Sequence, residues 1–251
     1  MKKIRFTIAY DGTEYSGWQI QNHARTIQGD IEEQLTRICH EKISLHGAGR
    51  TDAGVHAEGM TAHFECNSRL SPEDFQRALN SMLPGAIRIL QASYATPEFH
   101  SRFNAKGKVY IYTLYTGKIM PIDKRLYMLH QPKPLDHEKI NSCLDLLLGT
   151  HDFSSFENSG SRDKSYTCGR GAVRTLSKAR FDQVEENICT FTFIGDGFLK
   201  NMVRNIVGSA LEVGRDHKTV EWFEQALKAK DRRAAGPTAP PHGLKLSKVL
   251  Y

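Results

Sequence analysis

The chain has 251 residues with 39% hydrophobic and 25% charged side chains, a composition of folded globular proteins rather than disordered ones. Its length allows one large domain or two modest ones with real cores, and no apolar run approaches the roughly 20 residues that would span a bilayer. Net charge is +6 but uneven: residues 1–100 carry 10 Lys/Arg against 12 Asp/Glu, and residues 101–251 carry 24 against 16. The basic half points to a polyanionic partner, because neutralised phosphates release counterions. Five cysteines, widely spaced and without a C-x-x-C pair, support neither a disulfide framework nor structural zinc. The alternating N-terminus lacks a signal-peptide core, so a reduced, cytoplasmic protein is expected.

In chain order, Ile4, Phe6, Ile8 and Tyr10 alternate with Lys3, Arg5, Thr7 and Ala9 as a half-buried strand, which Asp11-Gly12 ends. Ile27, Ile31, Leu35 and Ile38 repeat at helical spacing. Met60, Ala62, Phe64 and Cys66 read as a second strand. Ser71-Pro72-Glu73-Asp74 starts a helix whose Phe75, Leu79 and Met82 should face the core. Ile87 and Ile89 open a third strand. The first hundred residues form an α+β unit on this reading.

A polar, basic connector from Pro97 to Lys108 leads into the strand Val109–Tyr115. Asp136 should cap a helix through Ile140, Cys143, Leu144, Leu147 and Leu148, ended by Gly149. Ser154 to Lys164 reads as a mobile loop. Strands are expected at 172–181 and 188–194, helices at 199–213 and around Trp222–Leu227, and a last strand at Leu244–Leu250. The expected organisation is therefore an N-terminal α+β half, 1–100, and a basic C-terminal α+β half, 101–251.

The densest chemical signal is Gly47-Ala48-Gly49-Arg50-Thr51-Asp52-Ala53-Gly54-Val55-His56-Ala57. Glycines let a loop bring its backbone close to a ligand, and a carboxylate held there becomes a candidate nucleophile or base. A loop aspartate that merely closes a turn is the competing reading. The dinucleotide fingerprint fails, because its third glycine position is Asp52. The Walker loop also fails, because Val55-His56 stand where Lys-Ser/Thr is needed. His56, His63 and Cys66 are metal-capable types nearby, but their spacing matches no metal motif.

Six separated segments resemble one family in collinear order. GRTDAGVHA at 49–57 is similar to the catalytic-aspartate motif of the tRNA pseudouridine synthase A (TruA) family, and so is Tyr10-Asp11-Gly12-Thr13-Glu14-Tyr15-Ser16-Gly17-Trp18-Gln19 to an earlier one. Phe99-His100-Ser101-Arg102-Phe103 with Lys106-Gly107-Lys108-Val109-Tyr110-Ile111-Tyr112 resembles the family's middle motif. His151-Asp152-Phe153, then Gly197-Phe198-Leu199 with Met202-Val203-Arg204-Asn205-Ile206-Val207-Gly208, and finally Pro240-Pro241-His242-Gly243-Leu244 resemble later ones. Ile111 departs from the pattern, since many relatives carry a basic residue there.

The resemblance implies a pseudouridine-synthase-like α+β fold, two α/β-sandwich halves sharing a mixed, mostly antiparallel sheet around a basic cleft. It implies isomerisation of uridine in tRNA at positions 38, 39 and 40 of the anticodon stem-loop, by a homodimer, with no membrane, cofactor or metal. Asp52 is then the nucleophile, and Arg204 pairs with it and keeps it ionised. Arg50 helps hold the flipped uridine, Tyr110 packs against the base, and Leu244 supplies an apolar contact. Attack at C1′, attack at C6 and steering of C2′ deprotonation all remain open. Without the family, Tyr110 would read as core and Arg204 as a surface charge. Arg102, Lys106, Lys108, Arg162, Lys164, Arg170 and Arg174 are candidate backbone contacts. Two rivals stand beside this reading: a non-catalytic tRNA-binding protein on the same scaffold, and a hydrolase using Asp52 with Glu58 or Glu65 as second carboxylate.

Overall fold

The computed structural model describes residues 1–158 and 170–251, in two compact units. Met1–Lys106 together with Lys245–Tyr251 make the first, and Gly107–Leu244 the second. The sequence division at residue 100 differs from this partition in two ways. The turn carrying the basic connector stays with the first unit, and the last strand returns to it. Arg162 and Lys164, and the end of the expected 154–164 loop, lie outside the described residues.

In the first unit, β1 (Lys2–Tyr10) lies between β3 (His56–Cys66) and β4 (Ile87–Tyr94), antiparallel to both. The two-residue β2 (His46–Gly47) pairs antiparallel with β3. On that same edge of β3, away from β1, lies β10 (Leu244–Leu250), parallel, with Lys245 opposite His56 and Leu246 opposite Ala57. Two helices cover one face. α1 (Ile27–Cys39) starts where Thr26 Oγ1 accepts the Gly29 N–H, and it buries Ile27, Ile31 and Leu35. α2 (Pro72–Met82) starts on a full capping box: Ser71 Oγ accepts from the Asp74 N–H, and Asp74 accepts from the Ser71 N–H. Phe6, Phe64 and Phe75 meet at 5.2 and 5.3 Å between ring centroids. Burying each such ring is worth about 1.5–3 kcal/mol. Met82 is a correction, because it is 41% exposed in the last turn of α2, where Leu83 just beyond it is the buried residue.

β3 is buried along nearly its whole length, not on alternate residues, because its second face is also covered. His63 on that face lies under the turn around Ser101, whose N–H it accepts at 3.2 Å. Helix side-chain amides also brace the sheets. Asn80 of α2 exchanges two hydrogen bonds with the Ile89 backbone, at 2.8 and 2.9 Å.

The strands of the second unit also pair in a mixed, mostly antiparallel way. β5 (Gly107–Tyr115) pairs with β9 (Ile188–Gly195), β9 with β8 (Val173–Glu185), and β8 with β7 (Gly149–Asp152). The short β6 (Leu129–His130) runs parallel to β5. α3 (His137–Asp145), α4 (Met202–Gly214) and α5 (Val220–Ala229) pack with Phe153, Phe156, Phe181, Phe191 and Phe223, all at or below 1% exposure. Asn141 of α3 repeats the amide device, exchanging two 3.0 Å hydrogen bonds with the Phe181 backbone. α3 stops at Asp145, earlier than its apolar spacing indicates. Leu146–Leu148 form a turn instead, leaving Leu148 42% exposed before Gly149 at φ +89°. Among the described residues, no helix is long and apolar enough to cross a membrane.

Candidate active site

Asp52 sits in the loop between β2 and β3, half-buried, with Thr51 buried before it and Arg50 exposed. What holds this loop is the segment from Tyr10 to Trp18. The Trp18 N–H donates to Thr51 O at 3.1 Å, and the Gly54 N–H donates to Tyr15 O at 3.2 Å. The Tyr10 hydroxyl lies 2.8 Å from Thr51 Oγ1, in a buried hydrogen bond. His56 Nδ1 lies 3.1 Å from the Gly12 N–H and 3.2 Å from Asp11 Oδ1. Within the loop, the Val55 N–H donates to Asp52 O at 3.1 Å.

Two glycines are required for the fit. Gly17 has φ +96°, and a Cβ there would lie 2.6 Å from Thr51 O and 3.1 Å from the Asp52 carbonyl carbon. A Cβ on Gly12 would run into the Val55 carbonyl. Tyr15 is itself anchored, its hydroxyl donating to Asp30 of α1 at 2.9 Å. Burial, then the bond and charge of Asp30, push the Tyr15 phenol up to about 12. The early motif is thus the backbone mould of the Asp52 loop, a role its side chains do not advertise.

In the second unit, Arg204 lies in the first turn of α4. Its Nε donates to Ala239 O at 2.7 Å and its Nη1 to Asn201 Oδ1 at 2.7 Å, while Arg204 O accepts the Ala239 N–H at 3.0 Å. The residues around it in the motif position this contact. Asn205 is fully buried and accepts from Arg232 and Thr238, at 3.1 and 2.6 Å. Ser209 Oγ accepts the Gly236 N–H at 2.9 Å, and a Cβ on Gly208 would collide with the Pro237 carbonyl. Residues 232–239 are therefore pressed onto α4.

The next residues meet β5. The Tyr112 hydroxyl donates to Pro240 O at 2.9 Å, and Gly243 leaves room for the Tyr112 ring. Burial holds the Tyr112 phenol above its ordinary range, against an opposing pull from the Arg204 charge. Tyr110, on the same face of β5, is 7% exposed and meets the Phe198 ring edge-on at 5.0 Å. Leu244, 4% exposed, follows the 3-10 turn Pro241–Gly243 as the first residue of β10. The second unit thus gathers Arg204 and Leu244 at the two ends of the 239–244 segment, with Tyr112 bonded to its middle and Tyr110 beside it on β5. Asp52 and Arg50 belong to the first unit. Asn205, Gly208, Gly12 and Gly17 were not singled out from sequence, though all four lie inside the quoted motifs.

Against known proteins, residues 7–104 and 144–251 match the family model described as tRNA pseudouridine synthase. The tRNA pseudouridine synthase A 1 of Desulfotalea psychrophila is 66% identical, with both chains covered completely. The tRNA pseudouridine synthase A of a Geobacillus species is 44% identical over all of this chain and 98% of the relative. That of Maridesulfovibrio salexigens is 42% identical over all of this chain and 91% of the relative. The chain belongs to the tRNA pseudouridine synthase A family, whose members are isomerases.

Proposed function

We propose that this protein converts uridine to pseudouridine at positions 38, 39 and 40 of the tRNA anticodon stem-loop, acting as a cytoplasmic homodimer with Asp52 as its essential carboxylate. The observation that supports this most is the mould around Asp52: five hydrogen bonds and two glycines hold one carboxylate-bearing loop in a chain of this family. In the reaction the N1–C1′ bond breaks, the uracil turns, and C5 bonds to C1′. C5 gives up its hydrogen as a proton and N1 gains one, so no atom is added overall and no redox partner is required. The target base must leave the stem, and unstacking it costs a few kcal/mol. Arg50, exposed beside the carboxylate, holds the extruded geometry; Tyr110 and Leu244 flank the base; Arg204 provides the counter-charge that keeps the carboxylate ionised.

The test is a tRNA transcript tritiated at every uridine C5, incubated with wild type and with Asp52→Asn. Wild type should release tritium into water, with label lost from positions 38 to 40. Asp52→Asn should bind the tRNA with similar affinity and release none. Binding by wild type without release would reject catalysis, and free uracil among the products would reject isomerisation in favour of base excision.

A further inference from the structure

Phe103 leaves 76% of its surface in water, yet its ring is mounted on other rings. It stacks on His100 with centroids 4.2 Å and planes 29° apart. His100 meets His63 edge-on at 4.7 Å, and His63 stacks on His46 at 5.1 Å. The lower rings are fixed to the sheet, since His46 of β2 and His63 of β3 are register partners. The upper rings are fixed by their turn. The N–H groups of Arg102 and Phe103 donate to His100 Nδ1 at 3.1 and 3.3 Å, and the Asn104 side chain and backbone close the turn on His100 at 2.6 and 3.0 Å. The Ser101 N–H, donated to His63 Nδ1, joins turn to sheet.

Ring nitrogens that accept amide protons are not themselves protonated. Burial and the neighbouring imidazoles push His63 down to about 4 and hold His100 below its ordinary value. Near neutral pH His63 and His100 are therefore uncharged. Around the tip the surface is cationic. The Arg102 guanidinium lies 5.9 Å from the Phe103 ring centroid, and Lys106 is exposed. Glu98 is the only carboxylate between residues 95 and 106. Glu65, on β3 nearby, is engaged by Lys3 at 3.1 Å.

A rigid aromatic face with arginine and lysine beside it matches the two invariant parts of a nucleotide, a π face and a phosphate. An apolar protein partner would call for apolar neighbours, whereas Arg102, Asn104 and Lys106 are all exposed. We propose that Phe103, carried on His100, is a stacking platform for an unpaired tRNA nucleobase other than the uridine being isomerised, with Arg102 and Lys106 meeting the adjoining phosphates. This inference rests on the proposed function, in that tRNA is taken as the partner.

The experiment uses the full chain and unmodified tRNA transcript, comparing Phe103→Ala, Phe103→Leu, Phe103→Trp and Arg102→Ala with wild type. Filter binding at fixed ionic strength gives Kd, and tritium release gives KM and kcat. Base–aromatic stacking lost to alanine corresponds to a Kd raised about 5- to 150-fold. The leucine variant should be as weak as alanine and the tryptophan variant restored, with KM raised and kcat unchanged. Arg102→Ala should flatten the salt dependence of binding by about one phosphate contact. Wild-type turnover with Phe103→Ala or Phe103→Leu binding equally well overturns the platform and leaves the proposed function standing. Wild type that neither binds tRNA nor releases tritium overturns both. A change of solution mass on Phe103→Ala would assign this face to a second copy of the chain and overturn the platform.

Discussion

Replacing Gly17 by alanine should separate the two jobs of the Asp52 loop, staying folded and being correctly placed. The new Cβ would stand 2.6 Å from Thr51 O, 3.1 Å from the Asp52 carbonyl carbon and 3.2 Å from the Ala53 nitrogen. All three are backbone atoms, so no side chain can swing aside. Real Cβ atoms essentially never come within 3.0 Å of another heavy atom, so the loop must retreat by roughly half an ångström or Gly17 must move. The φ of +96° adds strain that an L side chain meets and glycine does not. Overpacking and strain together should destabilise the protein by about 2–4 kcal/mol. A misplacement of 1 Å costs on the order of 100-fold in rate, so half of that should lower kcat about tenfold. Single-turnover tritium release below the melting transition, together with tRNA filter binding, gives both quantities. Gly85→Ala is the control, because its Cβ would meet only the end of Arg88 at 3.9 Å and should change neither. If Gly17→Ala melts and turns over like wild type, the mould does not position Asp52.

Two further outcomes follow from local chemistry. Ser71→Ala removes one arm of the capping box on α2 and should cost about 1 kcal/mol, read as a melting shift of about 2–4 °C, with tritium release unchanged. His63 stays neutral in the fold down to about pH 4, whereas in the unfolded chain it takes a proton below about 6.5. Its contribution is therefore complete above pH 6.5 and lost as pH falls towards 4, on the order of 1–2 kcal/mol by pH 5. His63→Asn, whose Oδ1 can replace the Nδ1 acceptor, should narrow its stability gap to wild type over that window in denaturant titrations. A gap constant from pH 7 to 4 would show that His63 is not the titrating group.

Much of the scaffold was legible from periodicity and caps. The last strand lies at Leu244–Leu250 as expected, and Ser71 and Asp136 both cap through their side chains. What could not be read has a common cause in backbone contacts between distant segments. β2 and β6 are two residues each, too short to carry a pattern. The mould around Asp52 is built largely from main-chain N–H and C=O groups, which are the same in every residue. Phe103 reads from sequence as one more residue of a polar connector, because nothing local tells that three histidines stand beneath it. The motifs did mark where such contacts would occur, since Gly12, Gly17, Asn205 and Gly208 all fall within them.

The parallel pairing of β10 with β3 also sets a clock on biosynthesis. His56, the first residue after the Asp52 loop, has Lys245 as its partner across the sheet. At about 5–20 residues per second, a ribosome finishes residue 245 roughly 10–40 s after residue 56. Throughout that interval the His56–Ala57 end of β3 lacks its native neighbour on one edge, and the Lys106 N–H lacks its Leu250 carbonyl. Hydrogen bonds from Tyr10, Gly12 and Trp18 can close on the loop early, but the sheet beneath it is complete only when the end of the chain returns. A nascent protein halted before residue 245 would thus hold the Asp52 loop on an open edge, exposed to wrong strand partners.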